Sequence, residues 1–292
     1  MQLVMTILKP QVIVRSAIPQ DRQKLANLIH FEVYVHRHLD WRGPLDWIIY
    51  PPYLVYEQRN NLLAALACPP DPPMVAWIRL FAVAENIPVE RAWQSMWYEA
   101  LEELRQFNEA KWVAALALWP WFAELLQKQD FNEDTRVVML QWEGEVKLAE
   151  ANPSDLTIRP MNLADIGEVH AVDELAFAPI WQNSRPSLEL AYRQALIATV
   201  AEAQGRLVGY QISTETPMGG HLARLAVAPN FQGLGIGYTL VRDLLEQFRR
   251  RGARKVTVNT QKNNLASLSL YKRTGFQPTG EEYPVYLYPL DQ

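Results

Sequence analysis

Cysteine is almost absent: the 292 residues contain one, Cys68. A lone thiol excludes an internal disulfide framework and a zinc site built on several cysteines. Basic charge is not in surplus either. Lys and Arg number 28 against 32 Asp and Glu, a net charge of −4. That balance argues against a general nucleic-acid binder, which needs excess cations to neutralise phosphates. Long hydrophobic runs are missing as well. The longest apolar stretch, Trp112 to Ala123, contains Pro120 and falls short of the roughly 18 residues that a spanning helix needs. The opening MQLVMTILKP has no basic stretch ahead of its short apolar run, so it reads as a poor signal peptide. These features predict a cytoplasmic protein that meets neither membrane nor nucleic acid. Glycine is scarce in one half only. Gly43 and Gly144 are the two in the first 150 residues, against eleven in the remainder, while nine of the ten tryptophans lie in the first half.

What is present suits a folded chain. Apolar residues make up 49% and charged residues 21%, which argues against disorder. At roughly 150 residues per domain the length predicts two domains. The halves also share a pattern. Ala82, Val83, Ala84 and Asn86 recur as Ala226, Val227, Ala228 and Asn230, a shift of 144 positions. At the same shift Arg15 meets Arg159, Asp21 meets Asp165, and Lys111 meets Lys255. A register kept over this length reads as two copies of one fold. The expected boundaries are 1–147 and 155–292, with a polar linker from Gly144 to Asp155.

The element order is the same in each copy. A strand (Val12 to Arg15; Leu156 to Arg159) precedes a helix that starts near Asp21 or Asp165. Strand-like alternation follows at Leu54 to Cys68 and at Thr199 to Thr214, the latter turning at Gln204-Gly205. Next come an apolar strand, Ile78 to Val83 or Leu222 to Val227, and a helix. In the second copy Ile236, Leu240, Leu244 and Phe248 form one apolar stripe on that helix, which Gly252 ends. A strand from Lys255 to Asn259, a helix from Leu265 to Arg273 and a last strand from Val285 to Tyr288 complete the expected set. The fold class is therefore α/β, in its mixed-sheet α+β form.

The chemistry-bearing stretch is LAVAPNFQGLGIGYTL, Leu225 to Leu240. A strand ends, the chain turns at Pro229-Asn230, and Gln232, Gly233, Leu234, Gly235, Ile236 and Gly237 open a helix. Glycines allow the tight turn and remove side chains that would keep an anion from the N–H groups. Those N–H groups lack intrahelical partners and lie at the positive end of the helix dipole. A pyrophosphate would suit them, and a plain strand–helix turn remains the alternative. No Gly-Lys-Ser/Thr follows, which excludes a P-loop NTPase, and G-x-G-x-x-G spacing is incomplete.

Downstream stands NNLASLSLYKRTGF, Asn263 to Phe276. Together, Q-x-x-G-x-G and N-x-x-S-x-x-L-Y-x-x-x-G-F resemble the acetyl-CoA motifs of the GNAT superfamily of N-acetyltransferases. The resemblance covers the second half and extends more faintly to the first. It implies two tandem GNAT-like domains, each a twisted, mostly antiparallel mixed sheet flanked by helices. By the same resemblance, Gln232 to Gly237 would cradle the pyrophosphate of coenzyme A. Leu225, Ala226 and Val227 would pair their backbone with the pantetheine arm. Asn264 matches the family asparagine near that arm, and Tyr271 the tyrosine that often protonates the departing thiolate. In several groups of the family a base lies eleven residues before the first Gln of the motif, which here is His221. An imidazole of pKa about 6.5 can accept the proton of an amine, with Glu215 or a water as the alternative.

The first copy departs from these motifs. Gln232 corresponds to Pro88, Gly235 to Arg91, Gly237 to Trp93 and His221 to Trp77, and with the one-residue slip that aligns Phe131 with Phe276, Tyr271 corresponds to Leu126. Pro88 has no N–H to offer and Trp93 adds bulk, so the first copy is expected to be degenerate and to bind no coenzyme A. His30, His36 and His38 lack the spacing of a metal site. Arg249, Arg250, Arg251, Arg254 and Lys255 form a basic cluster at a helix end, solvated or set toward the 3′-phosphate of coenzyme A. The reading is an acyltransferase moving acetyl from acetyl-CoA, a co-substrate, to a small-molecule or peptide amine. A non-catalytic coenzyme A-binding scaffold is the alternative, and association into a homodimer is left open.

Overall fold

A computed structural model describes residues 12–144, 155–216 and 219–290. In chain order these form β1 (Val12–Ser16), α1 (Arg22–Phe31), β2 (Tyr34–Arg37), β3 (Tyr53–Gln58), β4 (Asn61–Ala67), β5 (Val75–Trp77) and β6 (Leu80–Val83). There follow α2 (Val89–Leu104), β7 (Trp112–Leu116), α3 (Pro120–Gln127), β8 (Asn132–Glu143), β9 (Leu156–Pro160), α4 (Ile166–Ala176) and α5 (Arg185–Gln194). The last are β10 (Ile197–Ala203), β11 (Arg206–Thr216), β12 (Gly219–Val227), α6 (Ile236–Arg250), β13 (Lys255–Gln261), α7 (Leu265–Arg273) and β14 (Gln277–Pro289).

The repeat is visible atom by atom. In the first copy Arg15 Nη1 donates to Asp21 Oδ2 at 2.7 Å and Arg15 Nε to Glu57 at 2.7 Å. In the second copy Arg159 makes the same two bonds, to Asp165 at 2.7 Å and to Glu202 at 2.9 Å. Both aspartates also accept a backbone N–H three residues earlier, from Ile18 and Asn162. Each holds the turn that starts a helix, α1 or α4, and the arginine pushes each carboxyl below its ordinary pKa. The first hairpins share a register shift too, at Tyr56/Glu57 and at Ala201/Glu202.

Two compact units form, Met1–Phe131 with Leu287–Gln292, and Asn132–Tyr286. The expected boundary at 147–155 is therefore corrected. β8, the last strand of the first copy, pairs antiparallel with β13 through seven residues, Lys255↔Glu143 to Gln261↔Val137, and belongs to the second unit. The final residues of β14 lie beside β7 in the first unit, where the Leu290 N–H donates to the Lys111 carbonyl at 2.9 Å. Each copy thus ends in the other copy's unit. Propensity and periodicity cannot reveal this, because a strand has the same pattern whichever sheet it joins. The last strand is also longer than the expected Val285 to Tyr288, and of the expected Ile78 to Val83 only Leu80–Val83 forms a strand, β6, with Ile78 and Arg79 between it and β5. The linker expectation falls mostly on residues 145–154, outside the described residues.

In the second unit the strand order is β14-β8-β13-β12-β11-β10-β9. Helix α6 lies across it because one face is a continuous apolar stripe: Ile236, Leu240, Val241, Leu244, Leu245 and Phe248 are all buried. Phe248 and Leu240 come close to the sheet at glycines. A Cβ on Gly220 would meet the Phe248 ring at 2.4 Å, and one on Gly209 would meet Leu240 Cδ1 at 3.3 Å. The helix ends at Gly252, whose φ of +82° suits the left-handed turn that glycine adopts freely.

The first unit has a five-stranded sheet in the order β1-β3-β4-β6-β2, and β5 pairs in parallel with β7. Its core is aromatic. Trp93 is fully buried, stacked on Trp97 at 4.9 Å and edge-on to Phe81 at 5.2 Å. His36 is fully buried in this unit and His38 partly so. His36 stacks on Phe122 at 4.0 Å and its Nε2 bonds the Ile78 carbonyl at 3.0 Å. His38 stacks on Trp77. Burial drives both below the ordinary imidazole value, His36 to about 4.

A neutral buried histidine stabilises the fold above its unfolded pKa, and that stability is lost as pH falls through 6.5 toward 4. The His36 shift alone corresponds to about 3 kcal/mol. The urea midpoint, followed by tryptophan fluorescence, should fall between pH 6.5 and 4, and His36→Leu should flatten that fall. An equally steep fall in the variant would remove His36 as its cause.

Candidate active site

Strand β12 is bonded differently on its two edges. Toward β11 it pairs along most of its length, from Thr216↔Gly219 to Gly209↔Val227. Toward β13 it pairs only through Gly220–Leu222. The cause is a bulge. Ser213 faces Leu222 and Ile212 faces Arg224, so Ala223 has no opposite residue and the strand bends there. Beyond the bulge β12 and β13 part, and Leu225, Ala226 and Val227 line a cleft of about 470 Å³.

The opposite wall is the start of α6. Gln232, Gly233, Gly235, Ile236, Gly237 and Tyr238 line the same cleft. Gly233 and Gly235 have φ of +78° and +83°, so the turn requires the left-handed region twice within three residues. The first intrahelical bond runs from the Thr239 N–H to the Gly235 carbonyl at 3.0 Å, so the N–H groups of Ile236 and Gly237 have no partner within the helix. Gly237 has a different task. A Cβ there would stand 3.3 Å from Leu270 Cδ2, so its small size lets α7 close over the cradle. The Gln232 side chain caps the end of β12, donating to the Val227 carbonyl at 2.9 Å. Leu234 is 59% exposed at the tip of the loop.

Helix α7 forms the third wall with Asn264, Ala266, Ser267, Ser269, Leu270 and Arg273. Asn264 is its N-cap: the side-chain oxygen accepts from the Ser267 N–H at 3.1 Å, and its amide donates to Gln261. Tyr271 sits on the same helix but turns inward, 5% exposed, with its ring 5.6 Å from Phe276. Burial raises the phenol well above its ordinary pKa, so it is held as a neutral O–H donor.

The expected base lies on the paired part of β12. His221 Nδ1 is 2.9 Å from Thr257 Oγ1 on β13, and that hydroxyl donates to the Gly220 carbonyl at 3.4 Å. This direction assigns the ring proton to Nδ1 and leaves Nε2 basic. Burial lowers the His221 pKa, while a hydrogen bond with Asn259 favours the charged form. The ring is therefore neutral at pH 7. His221 and Tyr271 do not line the cleft, in contrast to the cradle, Leu225 to Val227 and Asn264. Glu215 lies on β11, opposite Gly220.

Sequence reasoning missed several residues here. Arg273 is the cationic side chain that lines the cleft, whereas Arg249 and Arg250 of the basic cluster pair with Glu246. Ala176 and Phe177 close another side. Beneath Phe177 lies a buried ion pair. Arg224 Nε and Nη2 each donate to Asp173 at 2.8 Å, and Asp173 is wholly buried. An arginine inside the apolar run Leu222–Val227 was the available signal, since a charge there needs a buried partner.

Gly235→Trp would place a Cβ on left-handed backbone, costing about 1–2 kcal/mol, and put a ring at the mouth of the cradle. It should abolish coenzyme A binding in titration calorimetry while the variant still unfolds cooperatively. Undiminished binding would remove the cradle assignment.

Comparison with known proteins agrees with this geometry. Residues 167–276 match the acetyltransferase (GNAT) family model. A Bacillus subtilis protein named for alanine N-acetylation of ribosomal protein bS18 is 28% identical over 123 residues, 42% of this chain and 82% of that protein. The N-alpha-acetyltransferase RimI of Mycobacterium tuberculosis is 38% identical over 84 residues, 27% of this chain and 51% of that protein. Two solved structures share the fold over nearly the whole length. One is a GCN5-related N-acetyltransferase from Sphaerobacter thermophilus, with a TM-score of 0.63, 15% identity and 98% of each chain covered. The other is a tandem GNAT protein from the clavulanic acid biosynthesis pathway, with a TM-score of 0.64 and 14% identity, covering 97% of this chain and 99% of that one. The residues that match the GNAT family model all lie in the second unit.

Proposed function

We propose that the second unit transfers acetyl from acetyl-CoA to a primary amine by direct attack, and that the first unit is a degenerate copy without a coenzyme A site. One observation supports this above others: the open edge of β12 and the N-terminal end of α6 line the same cleft. An extended amide-bearing arm satisfies the first, and a pyrophosphate the second.

In the reaction the amine nitrogen attacks the thioester carbonyl, the carbon–sulfur bond breaks, and two protons move. His221, neutral at pH 7, takes one from the amine through Nε2, and Asn259 steadies the imidazolium formed. Tyr271 donates its phenol proton to the departing thiolate.

The acceptor is best served by an α-amine. At pH 7, deprotonating an amine of pKa about 7.8 costs about 1 kcal/mol, against about 4.6 kcal/mol for a lysine-like amine near 10.4. A base set outside the cleft suits the smaller task, and relatives named for N-alpha and alanine acetylation point the same way. Release of free thiol from acetyl-CoA should therefore be faster with peptides bearing a free N-terminus than with alkylamines. Tyr271→Phe should lower kcat about a hundredfold with little change in the KM for acetyl-CoA. Unchanged turnover, with chemistry rate-limiting, would return Tyr271 to packing.

The first unit lacks what the second uses. The edge of β6 that corresponds to the open edge of β12 is taken by the chain itself: β2 pairs along it from Tyr34↔Val83 to Arg37↔Leu80. The helix starts earlier, with Pro88 as N-cap of α2, and Trp93 is buried in the core. A cleft of about 480 Å³ remains beside it, but Glu85, Glu90 and Glu124 line it and would repel phosphate. Lys128 there is paired with Glu90. Saturation binding of coenzyme A should plateau at one equivalent per chain, and Trp93→Gly should not add a second. A stoichiometry near two would overturn the degenerate copy.

A further inference from the structure

We propose that Phe177 is the wall that limits the transferred group to a short acyl chain, and that the buried Arg224–Asp173 pair holds the ring in place. The inference rests on the reading of the cleft as an acyl-CoA site.

The direction of the cleft places Phe177 at the acyl end. An anion at the α6 cradle and an arm paired along β12 run backward from Val227 to Leu225. The next residue in that direction is Arg224. Its guanidinium carbon lies 3.6 Å from the centroid of the Phe177 ring, and Phe177 lines the cleft. The thioester therefore arrives where this ring stands.

The ring has little freedom to yield. Arg224, the platform beneath it, is fixed by its paired bonds to the Asp173 carboxylate and by a 2.6 Å bond from Nη2 to the Trp181 carbonyl. Asp173 in turn accepts from the Tyr210 hydroxyl and from the Asn183 N–H at 2.9 Å. Planar guanidinium and carboxylate groups joined by two bonds resist rotation. The backbone of Phe177 is tied as well. Its N–H donates to the Asp173 carbonyl at 3.1 Å, and its carbonyl accepts from Gln182 Nε2 at 3.0 Å. Strand β11, strand β12, helix α4 and the segment after it thus meet at one carboxylate. A longer acyl chain would have to displace a ring anchored on all of them.

Titration calorimetry with coenzyme A, acetyl-CoA, propionyl-CoA and butyryl-CoA tests this without knowing the acceptor. Affinities are read as ratios to each variant's own affinity for coenzyme A. The wild-type protein should bind butyryl-CoA at least about tenfold more weakly than acetyl-CoA, as expected of a pocket closed to extra methylenes. Phe177→Ala should bring the two within about threefold, Phe177→Leu should fall between, and Arg224→Lys should narrow the gap in the same direction. A wild-type protein that binds both thioesters equally, or a Phe177→Ala variant that keeps the wild-type ratio, would overturn the wall. Failure of the wild-type protein to bind any of the four ligands would instead overturn the acyl-CoA reading of the cleft.

Discussion

Backbone polar groups that leave a sheet must find partners elsewhere, and this constraint governs the second unit. One extra residue at Ala223 bends β12 away from β13 after Leu222. The helix that follows begins with a left-handed glycine turn, so its own first N–H groups are also left over. Two incomplete sets of hydrogen bonds, one on a strand and one on a helix, then line the same cleft. The remaining features support that opening. Gly237 lets α7 approach, Asn264 caps α7 at the cleft, and the apolar stripe of α6 holds the helix on the sheet.

The two copies show how one scaffold can keep or lose such an opening. Their helix-start ion pairs and hairpin bulges match closely, which indicates that the frame tolerated change elsewhere. What changed is the edge. In the first copy the strand edge is filled by β2, and the turn before α2 has become helix with a tryptophan in its first two turns. The first copy instead packs an aromatic core around Trp93, Trp97 and Phe81.

Much of the second unit was legible because its signals are local. The α6 stripe, the stop at Gly252 and the Asn264 cap depend on residues a few positions apart, and the 144-residue register carried over to helices and hairpins. Long-range matters were not legible. Val285 to Tyr288 read as a strand, yet nothing in those residues says that the end of β14 lies beside β7, or that β8 belongs with β13. His221 read as a base near the cradle, but its true neighbour Thr257 comes from a strand 36 residues away. Arg224 and Asp173 are 51 residues apart, and each alone resembles an ordinary charged residue.

The exchanged last strands have a consequence for inheritance. A cut anywhere between Gly144 and Asp155 leaves β8 on the amino-terminal fragment, although its bonding partner β13 is on the other, and strips the first unit of residues 287–292. Neither half of the gene therefore encodes a closed sheet. With the strands exchanged, deleting either copy would remove a strand from the other copy's unit. Each copy is therefore a requirement of the other's assembly, whatever chemistry it carries.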